Sequence, residues 1–482
     1  MIKLIRKPFF ILASALTAGF LLRLWGITWG LPLKYAHIDE SVVIFYSFRF
    51  FTGDLNPHVF FDYPTLFLYL IYAVEYIYFT IGSLFGYFTS LDQFAGKYFL
   101  GDITGIFLIA RMVSVAAGTA SIYLIYRISR LFYSEKVSLL AGILLCFNWL
   151  HILHSHYATV DVFALFMTLL CVYFICEYFA TGKRISFLYS CLLLGLSTAT
   201  KYYPLVFFAN VLLIPLLKKE NFSKQLVYLY FSGLALVIFG FFIGCPYAFL
   251  DFGAFSARFT TIFTNVVKPE HFSLLKNITT LVTHIFNGTG AVLFLAGLAT
   301  IFFALQAAAD FFILSFIIVF FLFSLGFKAP GTHYLFPLYP FIFILTAKGF
   351  ENISKKVHYS VFYTAAFLFV LVSMPKIINI DYTLMQKDTR LIAYDWVLQN
   401  IPKKSKILRF PYTPEFKPAD GYSVKVDWDY KIPASTYKDY NYIITSNKND
   451  KLENNFQLIK SFTGTKLSGF HNPDIDIYQN KH

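Results

Sequence analysis

Residues 9–31 read FFILASALTAGFLLRLWGITWGL, an apolar run that carries a single charge, at Arg23. A helix of about 20 apolar residues is long enough to cross the hydrocarbon core of a bilayer. Lys3, Arg6 and Lys7 precede the run, but it is too long for the apolar region of a signal peptide, and no small-residue cleavage site follows it. We therefore interpret it as a retained first transmembrane helix.

The composition extends the membrane assignment to the rest of the chain. Hydrophobic residues make up 57% of the 482 residues and charged residues only 14%, whereas soluble domains have about 25% charged residues. In such a chain the net charge of +13 indicates cytoplasmic loops and contacts with lipid headgroups, and nothing predicts a nucleic-acid partner. The cysteines all lie in apolar stretches, which argues against a disulfide framework or a zinc site.

Further apolar runs predict an α-helical polytopic membrane protein with about eleven transmembrane helices. These runs cover residues 104–127, 137–153, 157–180, 186–200, 203–217, 226–248, 289–307, 309–327, 333–350 and 358–376. With a cytoplasmic N-terminus, the basic clusters near residues 127–136, 183–184, 218–224 and 348–356 all fall on the cytoplasmic side, as the positive-inside rule requires. We expect a multi-pass protein of the cell (plasma) membrane.

One apolar segment, residues 65–88, conflicts with this scheme. A single crossing there would move every later basic cluster to the outside. We therefore predict a re-entrant or juxtamembrane helix within a long outer loop, residues 37–103, and Glu75 in the middle of the segment agrees with this. A compensating pair of crossings would also preserve the topology and would give about thirteen spans.

The composition of the chain changes after Lys376, where the long apolar runs end and Lys, Asn, Asp and Pro become frequent. Residues 1–376 are predicted to form the transmembrane domain, and residues 377–482 a small soluble α/β domain on the extracytoplasmic side. Within the second domain, residues 389–401 form an amphipathic helix that Pro402 ends. Strands are predicted at residues 406–410, 423–428, 442–445 and 474–478.

Charged and polar residues from separate helices fall on the outer side in this topology. They are Asp39, Glu40, Asp62, Arg111, His156, Asp161, Lys201, Tyr202 and His333. The adjacent acids Asp39 and Glu40, taken alone, fit a solvated loop better than a site. A charge in the middle of a bilayer costs about 2.5–3.5 kcal/mol on insertion scales, so a group of such residues on one face indicates a functional site.

Several short motifs occur in an order typical of one enzyme family. They are Asp39-Glu40, Tyr63-Pro64-Thr65-Leu66, Ala110-Arg111-Met112-Val113-Ser114, His156-Tyr157-Ala158-Thr159-Val160-Asp161, Ala199-Thr200-Lys201-Tyr202-Tyr203-Pro204, Pro246-Tyr247-Ala248-Phe249-Leu250-Asp251 and His333-Tyr334-Leu335-Phe336-Pro337-Leu338-Tyr339-Pro340. Together they resemble glycosyltransferase family 39, the protein O-mannosyltransferases and bacterial lipid A aminoarabinose transferases. The resemblance implies the glycosyltransferase C superfold and a polyprenyl-phosphate sugar donor.

The resemblance also implies roles for individual residues. Asp39 matches the catalytic acid and would be the general base, while Glu40 would orient it or bind the acceptor. Lys201 matches the lysine that binds the lipid phosphate, and Tyr202 stands beside it. Other expected phosphate ligands are Arg111 and His333, although the family usually has arginine at the place of His333.

The remaining residues have less defined roles. Asp161 would align Asp39, bind sugar hydroxyls or hold a metal, and His156 stands where arginine is common. Asp62 lies where some members supply an acidic metal ligand, so a divalent metal cofactor is an expectation. A hexosyl or pentosyl transfer to a protein, lipid or glycan acceptor would fit the family. Alternatives are a transporter or flippase for an ion or lipid-linked sugar, and a scaffold without catalytic activity.

Overall fold

The computed structural model describes most of the chain and is mainly α-helical. The described residues are 2–219, 223–266, 273–328, 331–446, 452, 456–465, 467 and 470–481. Their α-helices are α1 Ile2–Leu24, α2 Ile38–Arg49, α3 Leu66–Leu84, α4 Leu91–Leu100, α5 Thr104–Arg130, α6 Glu135–Cys146, α7 Trp149–His154, α8 Val160–Thr181, α9 Arg184–Thr198, α10 Phe208–Lys218, α11 Lys224–Gly244, α12 Tyr247–Leu250, α13 Phe252–Val266, α14 Leu274–Thr289, α15 Ala291–Ala304, α16 Ala308–Ser324, α17 Tyr339–Lys356, α18 Ser360–Met385 and α19 Thr389–Asn400. Short 3₁₀ helices include Tyr203–Phe207 and Thr332–Leu338.

The predicted apolar runs are helices in the structure. Five helical segments of the described residues are long and apolar enough to cross a membrane: Leu66–Leu84, Thr104–Arg130, Val160–Thr181, Lys224–Gly244 and Ser360–Asn400. Shorter apolar helices cover Pro8–Leu24, Arg184–Thr198, Tyr203–Lys218 and Ala308–Ser324, and α14 and α15 form a bent pair. The chain is thus a helical multi-pass membrane protein, as the sequence predicts, while the total of about eleven to thirteen crossings stays a prediction.

The segment around Glu75 is helical, as the sequence analysis predicts. It forms α3, which has the length and hydropathy of a membrane span, so the juxtamembrane helix and the pair of compensating crossings both stay predictions. The carboxyl of Glu75 does not interrupt the apolar surface, because it is fully buried and accepts a hydrogen bond of 3.2 Å from Oγ of Ser47. A buried, hydrogen-bonded acid is tolerated inside an apolar helix, so Glu75 gives no support for re-entry.

The chain divides into two compact units, each made of separate stretches of sequence. We call the first the helical unit; it comprises Met1–Leu24, Ile44–Glu75 and Ala110–Ile378. We call the second the sheet unit; it comprises Trp25–Val43, Tyr76–Ile109 and Asn379–His482. The two short N-terminal stretches therefore pack with the C-terminal residues.

Glycines allow two helices of the helical unit to pack closely. A Cβ atom placed on Gly195 of α9 would lie 2.1 Å from the carbonyl oxygen of Val237 in α11. A Cβ atom on Gly240 of α11 would lie 2.3 Å from the carbonyl oxygen of Leu192. Small residues at helix contacts let backbones approach within a membrane, where packing replaces the hydrophobic effect as the driving force.

The sheet unit contains a five-stranded mixed sheet. Its strands are β1 Lys406–Arg409, β2 Ser423–Val426, β3 Tyr442–Thr445, β4 Phe456–Phe462 and β5 Ile475–Asn480, in the spatial order β2-β1-β3-β5-β4. β1 is parallel to β2 and β3, whereas β5 is antiparallel to both of its neighbours. The predicted α/β domain is confirmed, including α19, whose Ala393 and Val397 pack on Ile407, Ile444 and Ile477.

One strand has no counterpart in the sequence analysis. β4 lies at the edge of the sheet, and most of its side chains are exposed or half-buried. An edge strand of this kind lacks the clear alternation of buried and exposed residues that marks a half-buried strand. The predicted strand at residues 423–428 ends earlier, at Val426.

Candidate active site

An ion pair links two of the predicted site residues in the helical unit. Asp161 lies in the first turn of α8, and Lys201 lies in the loop that follows α9. Nζ of Lys201 lies 2.5 Å from Oδ1 of Asp161, and the side chains are only 16% and 11% exposed. The positive end of a helix dipole stabilises a negative charge in the first turn, so α8 stabilises the carboxylate of Asp161.

Aromatic rings surround the ammonium group of Lys201. The distances from Nζ to the ring centroids are 4.8 Å for Tyr334, 5.9 Å for Tyr203 and 6.0 Å for Tyr63. Such rings attract a cation through the negative faces of their π systems. A lysine ammonium has three N–H donors, so the group that binds Asp161 can also donate to a further anion.

Two histidines belong to the same cluster. The ring centroids of His154, in α7, and His333 lie 4.7 Å apart, and both residues interact electrostatically with Asp161. The structure thus brings Asp161, Lys201 and His333 together, as the sequence predicts. His154 was not among the predicted site residues.

A groove of about 420 Å³ is lined by Lys201 and by mainly apolar side chains. Its lining consists of Asp62, Tyr63, Lys201, Tyr202, Tyr203, Leu205, Val206, Phe259, Ile262, Phe263, Val266, Phe323, Phe327 and Tyr334. Leu205 and Phe263 are about half exposed, at 48% and 50%, so the groove reaches the surface of the helical unit. A groove with apolar walls and a cation fits an amphiphile with an anionic headgroup better than a polar solute.

Asp62 and Tyr202, which line this groove, are each fixed by a contact within the helical unit. The guanidinium of Arg258, on α13, pairs with Asp62 through two atoms, with Nη2–Oδ1 and Nε–Oδ2 distances of 2.6 and 3.1 Å. The hydroxyl of Tyr202 donates to the carbonyl oxygen of Phe61 at 2.7 Å. Arg258 was not predicted as a site residue, because nothing in the sequence relates it to Asp62.

The residues present do not fit the divalent-metal site expected from the sequence. Among the described residues, no group of three or more His, Cys, Asp or Glu side chains is arranged to hold a metal ion. Asp62, the proposed acidic ligand, is instead engaged by Arg258. We therefore derive no catalytic step through a metal.

Arg111 and His156 are buried elements of the helical unit. Arg111 is fully buried in α5. His156 is also fully buried, and its Nδ1 lies 2.9 Å from the carbonyl oxygen of Ile152, so Nδ1 carries the proton that it donates.

Arg23, the charge in the first apolar run, is held inside the protein. Its guanidinium is fully buried and contacts Nδ1 of His151 at 2.9 Å as well as the carbonyl oxygens of Gly19 and Leu145. Arginine offers only donors, so Nδ1 of His151 must be the acceptor in this pair.

Asp39 and Glu40 belong to the sheet unit, where they lie in the first turn of α2. Asp39 is exposed and Glu40 is fully buried. The segment that precedes them contacts the C-terminal residues of the same unit, since Nη1 of Arg390 donates to the carbonyl oxygen of Ala36 at 3.3 Å. Arg390 is fixed in turn by a buried ion pair of 2.6 Å with Asp388. Asp39, the predicted base, therefore lies in the first turn of a helix.

The fold and these features define a multi-pass membrane protein with a cationic, aromatic groove. A sequence profile described as dolichyl-phosphate-mannose-protein mannosyltransferase matches residues 103–243. The crystal structure of ArnT from Cupriavidus metallidurans bound to undecaprenyl phosphate is similar, with a TM-score of 0.58, 10% identity, and coverage of 98% of this chain and 97% of that chain. The apo state of that ArnT gives a TM-score of 0.57, 11% identity and the same coverage.

The profile match confirms the resemblance to glycosyltransferase family 39 over residues 103–243, and the two ArnT structures confirm the glycosyltransferase C fold. A weaker likeness is to the archaeal oligosaccharyltransferase AglB from Archaeoglobus fulgidus in complex with an inhibitory peptide and a dolichol-phosphate. It has a TM-score of 0.47, 11% identity, and coverage of 91% of this chain and 69% of that chain. Among curated proteins, no sequence matches this chain.

Proposed function

We propose that the chain is a membrane glycosyltransferase that moves a sugar from a polyprenyl-phosphate donor to a protein, lipid or glycan acceptor. The observation that carries the proposal is the position of Lys201, a largely buried cation in the wall of a mainly apolar, aromatic groove whose one acid, Asp62, is paired with Arg258. The isoprenoid chain of such a donor is apolar and its phosphate is anionic, so the groove and the cation complement the two parts of one molecule. The similar ArnT structure contains undecaprenyl phosphate, which supports this class of ligand.

In this proposal Lys201 binds the donor phosphate, with Arg111, His333 and Tyr202 as further groups of the phosphate site. Lys201 and His333 are supported by their shared neighbour, Asp161, which interacts electrostatically with both. Asp161 lowers the cost of burying these groups, since buried charges require partners. His156 and Asp62 are proposed to contact substrate, Asp62 from the wall of the groove.

The proposed reaction is a single displacement at the anomeric carbon. Asp39 removes the proton from the acceptor nucleophile, whose atom then bonds to the anomeric carbon as the bond from that carbon to the phosphate oxygen breaks. The polyprenyl phosphate leaves with the electron pair, and Lys201 stabilises its negative charge. Glu40 orients Asp39 or the acceptor. One displacement inverts the anomeric configuration, so the product should have the configuration opposite to that of the donor.

We infer that the N-terminus is cytoplasmic and that transfer occurs at the outer face of the membrane. This orientation is supported by the basic clusters, which all fall on the cytoplasmic side when the N-terminus is cytoplasmic and the predicted spans are counted in order. The sheet unit, which carries Asp39, would then face the extracytoplasmic side.

The test is transfer in isolated membranes with a panel of radiolabelled hexosyl and pentosyl polyprenyl phosphates. Wild type is compared with Asp39→Asn and Lys201→Gln. The matched controls are Asp92→Asn, an exposed acid in the first turn of α4, and Lys183→Gln, an exposed lysine before α9. We expect transfer by wild type and both controls, with a loss of at least about 10²-fold in Asp39→Asn.

Two results would contradict the proposal. If wild type leaves every donor of the panel intact, or if Asp39→Asn transfers as well as wild type, the assigned reaction or its base is wrong. Movement of an intact labelled donor between leaflets, without transfer, would instead identify a flippase.

A further inference from the structure

The loop after β1 lies at the edge of the sheet where the parallel strands end. β1 is parallel to both β2 and β3, so the carboxyl ends of the three strands meet at one edge. The chain leaves β1 toward β2 on one side and later returns as β3 on the other side. In open sheets with parallel strands, such a point at the carboxyl ends is where sites form. The residues found there are Phe410–Phe416.

Glu415, in this loop, binds the main chain shortly before Asp39. Its Oε2 accepts a hydrogen bond of 3.0 Å from the backbone N–H of Lys34, and its Oε1 accepts one of 2.7 Å from the backbone N–H of Tyr35. Two bonds from one carboxyl group to consecutive amides fix both the position and the direction of that segment. Because the donors are backbone groups, the contact constrains the path of the chain into α2.

Side chains at the ends of the neighbouring strands support the same segment. The ring of Tyr35 packs on Trp428, which follows β2, with centroids 5.1 Å apart. The loop itself is held by Ser446, which follows β3 and whose hydroxyl donates to the carbonyl oxygen of Pro411 at 3.0 Å. All three parallel strands thus contribute a contact to the segment or to the loop that binds it.

Tyr412 shows that this loop is held in an unfavourable conformation. Its backbone φ is +58°, in the left-handed region that bulky residues avoid. Strain of this kind persists where the surrounding structure enforces it, and it is found most often at functional sites. The Tyr412 side chain interacts electrostatically with Asp39 and with Arg390, so the strained residue is near the predicted base.

We propose that Glu415 is a positioning residue for Asp39. By holding the amides of Lys34 and Tyr35, it sets the start of α2 and thereby the direction in which the Asp39 carboxyl group is presented to the acceptor. This inference rests on the proposed function, in which Asp39 is the general base. Loss of the contact lets the first turn of α2 move, and a displacement of about 1 Å at a catalytic group can reduce turnover about 10²-fold.

The test is Glu415→Gln in the full-length protein, assayed for transfer with the donor that the wild type uses. Glutamine keeps the size of the side chain, but its amide has one acceptor oxygen, and its NH₂ group faces the second backbone N–H. We expect kcat to fall about tenfold to a hundredfold while KM for the donor changes less than about twofold.

The matched control is Asp476→Asn, a change of acid to amide at a buried site elsewhere in the sheet unit. Asp476 lies in β5 and accepts a hydrogen bond of 2.5 Å from Ser461. We expect this variant to lose thermal stability while kcat stays within about twofold of wild type. An equal loss of kcat in both variants would mean that Glu415 acts only through stability, and it would overturn the positioning role.

A double variant separates this inference from the proposed function. Because Glu415 is argued to act through Asp39, Asp39→Asn/Glu415→Gln should retain the same activity as Asp39→Asn alone. Wild-type transfer by Asp39→Asn would refute the base assignment. An inactive Asp39→Asn together with a wild-type kcat in Glu415→Gln would refute the positioning role alone.

If Glu415→Gln does not fold, Glu415→Asp is assayed in its place, because aspartate keeps the carboxyl group but is one methylene shorter. A kcat reduced about threefold to tenfold would support the positioning role, and an unchanged kcat would overturn it.

Discussion

Nζ of Lys201 lies 2.5 Å from Oδ1 of Asp161, in surroundings where neither side chain is more than 16% exposed. Removal of one member of such a pair leaves the other charge buried without compensation, at a cost of about 3–5 kcal/mol. We therefore expect Lys201→Met to lower the free energy of unfolding by about 3 kcal/mol. The double variant Lys201→Met/Asp161→Asn should recover part of this loss. Thermal unfolding in detergent micelles measures both, and additive losses would contradict the pairing.

The contact between α9 and α11 predicts a strong effect for a single methyl group. A Cβ atom at Gly195 would lie 2.1 Å from a backbone oxygen, which cannot move aside as a flexible side chain can. Gly195→Ala should therefore lower the free energy of unfolding by about 1–3 kcal/mol through overpacking. The control is Gly253→Ala in α13, where a Cβ atom would have no neighbour within 4 Å. Equal unfolding midpoints for the two variants would refute the close packing.

The buried pair of Arg23 and His151 should contribute to stability through its hydrogen bond. His151→Phe keeps an aromatic ring but removes the acceptor that lies 2.9 Å from the guanidinium. An unsatisfied buried donor costs about 1–3 kcal/mol, and the unfolding midpoint should fall accordingly. His358→Phe, at an exposed histidine, should change the free energy of unfolding by less than about 0.5 kcal/mol. No difference between the two variants would mean that the contact with Arg23 is energetically neutral.

Glu415 should make the stability of the protein depend on pH. Burial raises the pKa of its carboxyl group above the ordinary value of 4.5, and the backbone N–H groups of Tyr35 and Lys34 together with Arg409 oppose that rise. A carboxyl group whose pKa is higher in the folded state binds a proton on folding. Its contribution to stability is therefore complete below about pH 4.5 and is lost as the pH rises through the folded-state pKa.

The contribution of Glu415 to the unfolding midpoint should accordingly fall as the pH is raised from about 4.5 toward neutrality. Relative to wild type, Glu415→Gln, which cannot titrate, should therefore gain in unfolding midpoint as the pH rises over the same range. Identical slopes in Glu415→Gln and wild type would assign the pH dependence to another group.

Much of the helical architecture can be read from the sequence, because a membrane span must bury its own backbone hydrogen bonds and present apolar side chains along its length. The run predicted at residues 157–180 is α8, Val160–Thr181. The role of a charged residue inside an apolar run is harder to predict, because its hydrogen-bond partner need not be close in sequence. Glu75 was interpreted as support for a re-entrant or juxtamembrane helix, but its partner Ser47, which lets it be buried, comes from a different part of the chain.

The same limit applies to the candidate site. Asp161, Lys201 and His333 were predicted, since charged and polar residues at membrane boundaries stand out against an apolar background. Arg258 and Glu415 were not, although each makes a two-atom contact with a residue of the predicted site or the segment before it. Their partners are distant in sequence, and no periodicity of helix or strand encodes such an approach.

The sheet unit also has a consequence for how the chain is made. Its N-terminal stretch, Trp25–Val43, is synthesised before almost the entire helical unit, whereas Glu415 and Arg390, which bind the main chain of this stretch, follow Asn379. At about 5–20 residues per second, a ribosome needs on the order of tens of seconds to pass from one to the other. During that time the nascent chain carries Asp39 but neither Glu415 nor Arg390. A chain that is truncated or cleaved before Asn379 therefore contains the proposed base, Asp39, but lacks Glu415 and Arg390, which bind the segment before it. Transfer activity is accordingly expected only from chains whose translation is complete.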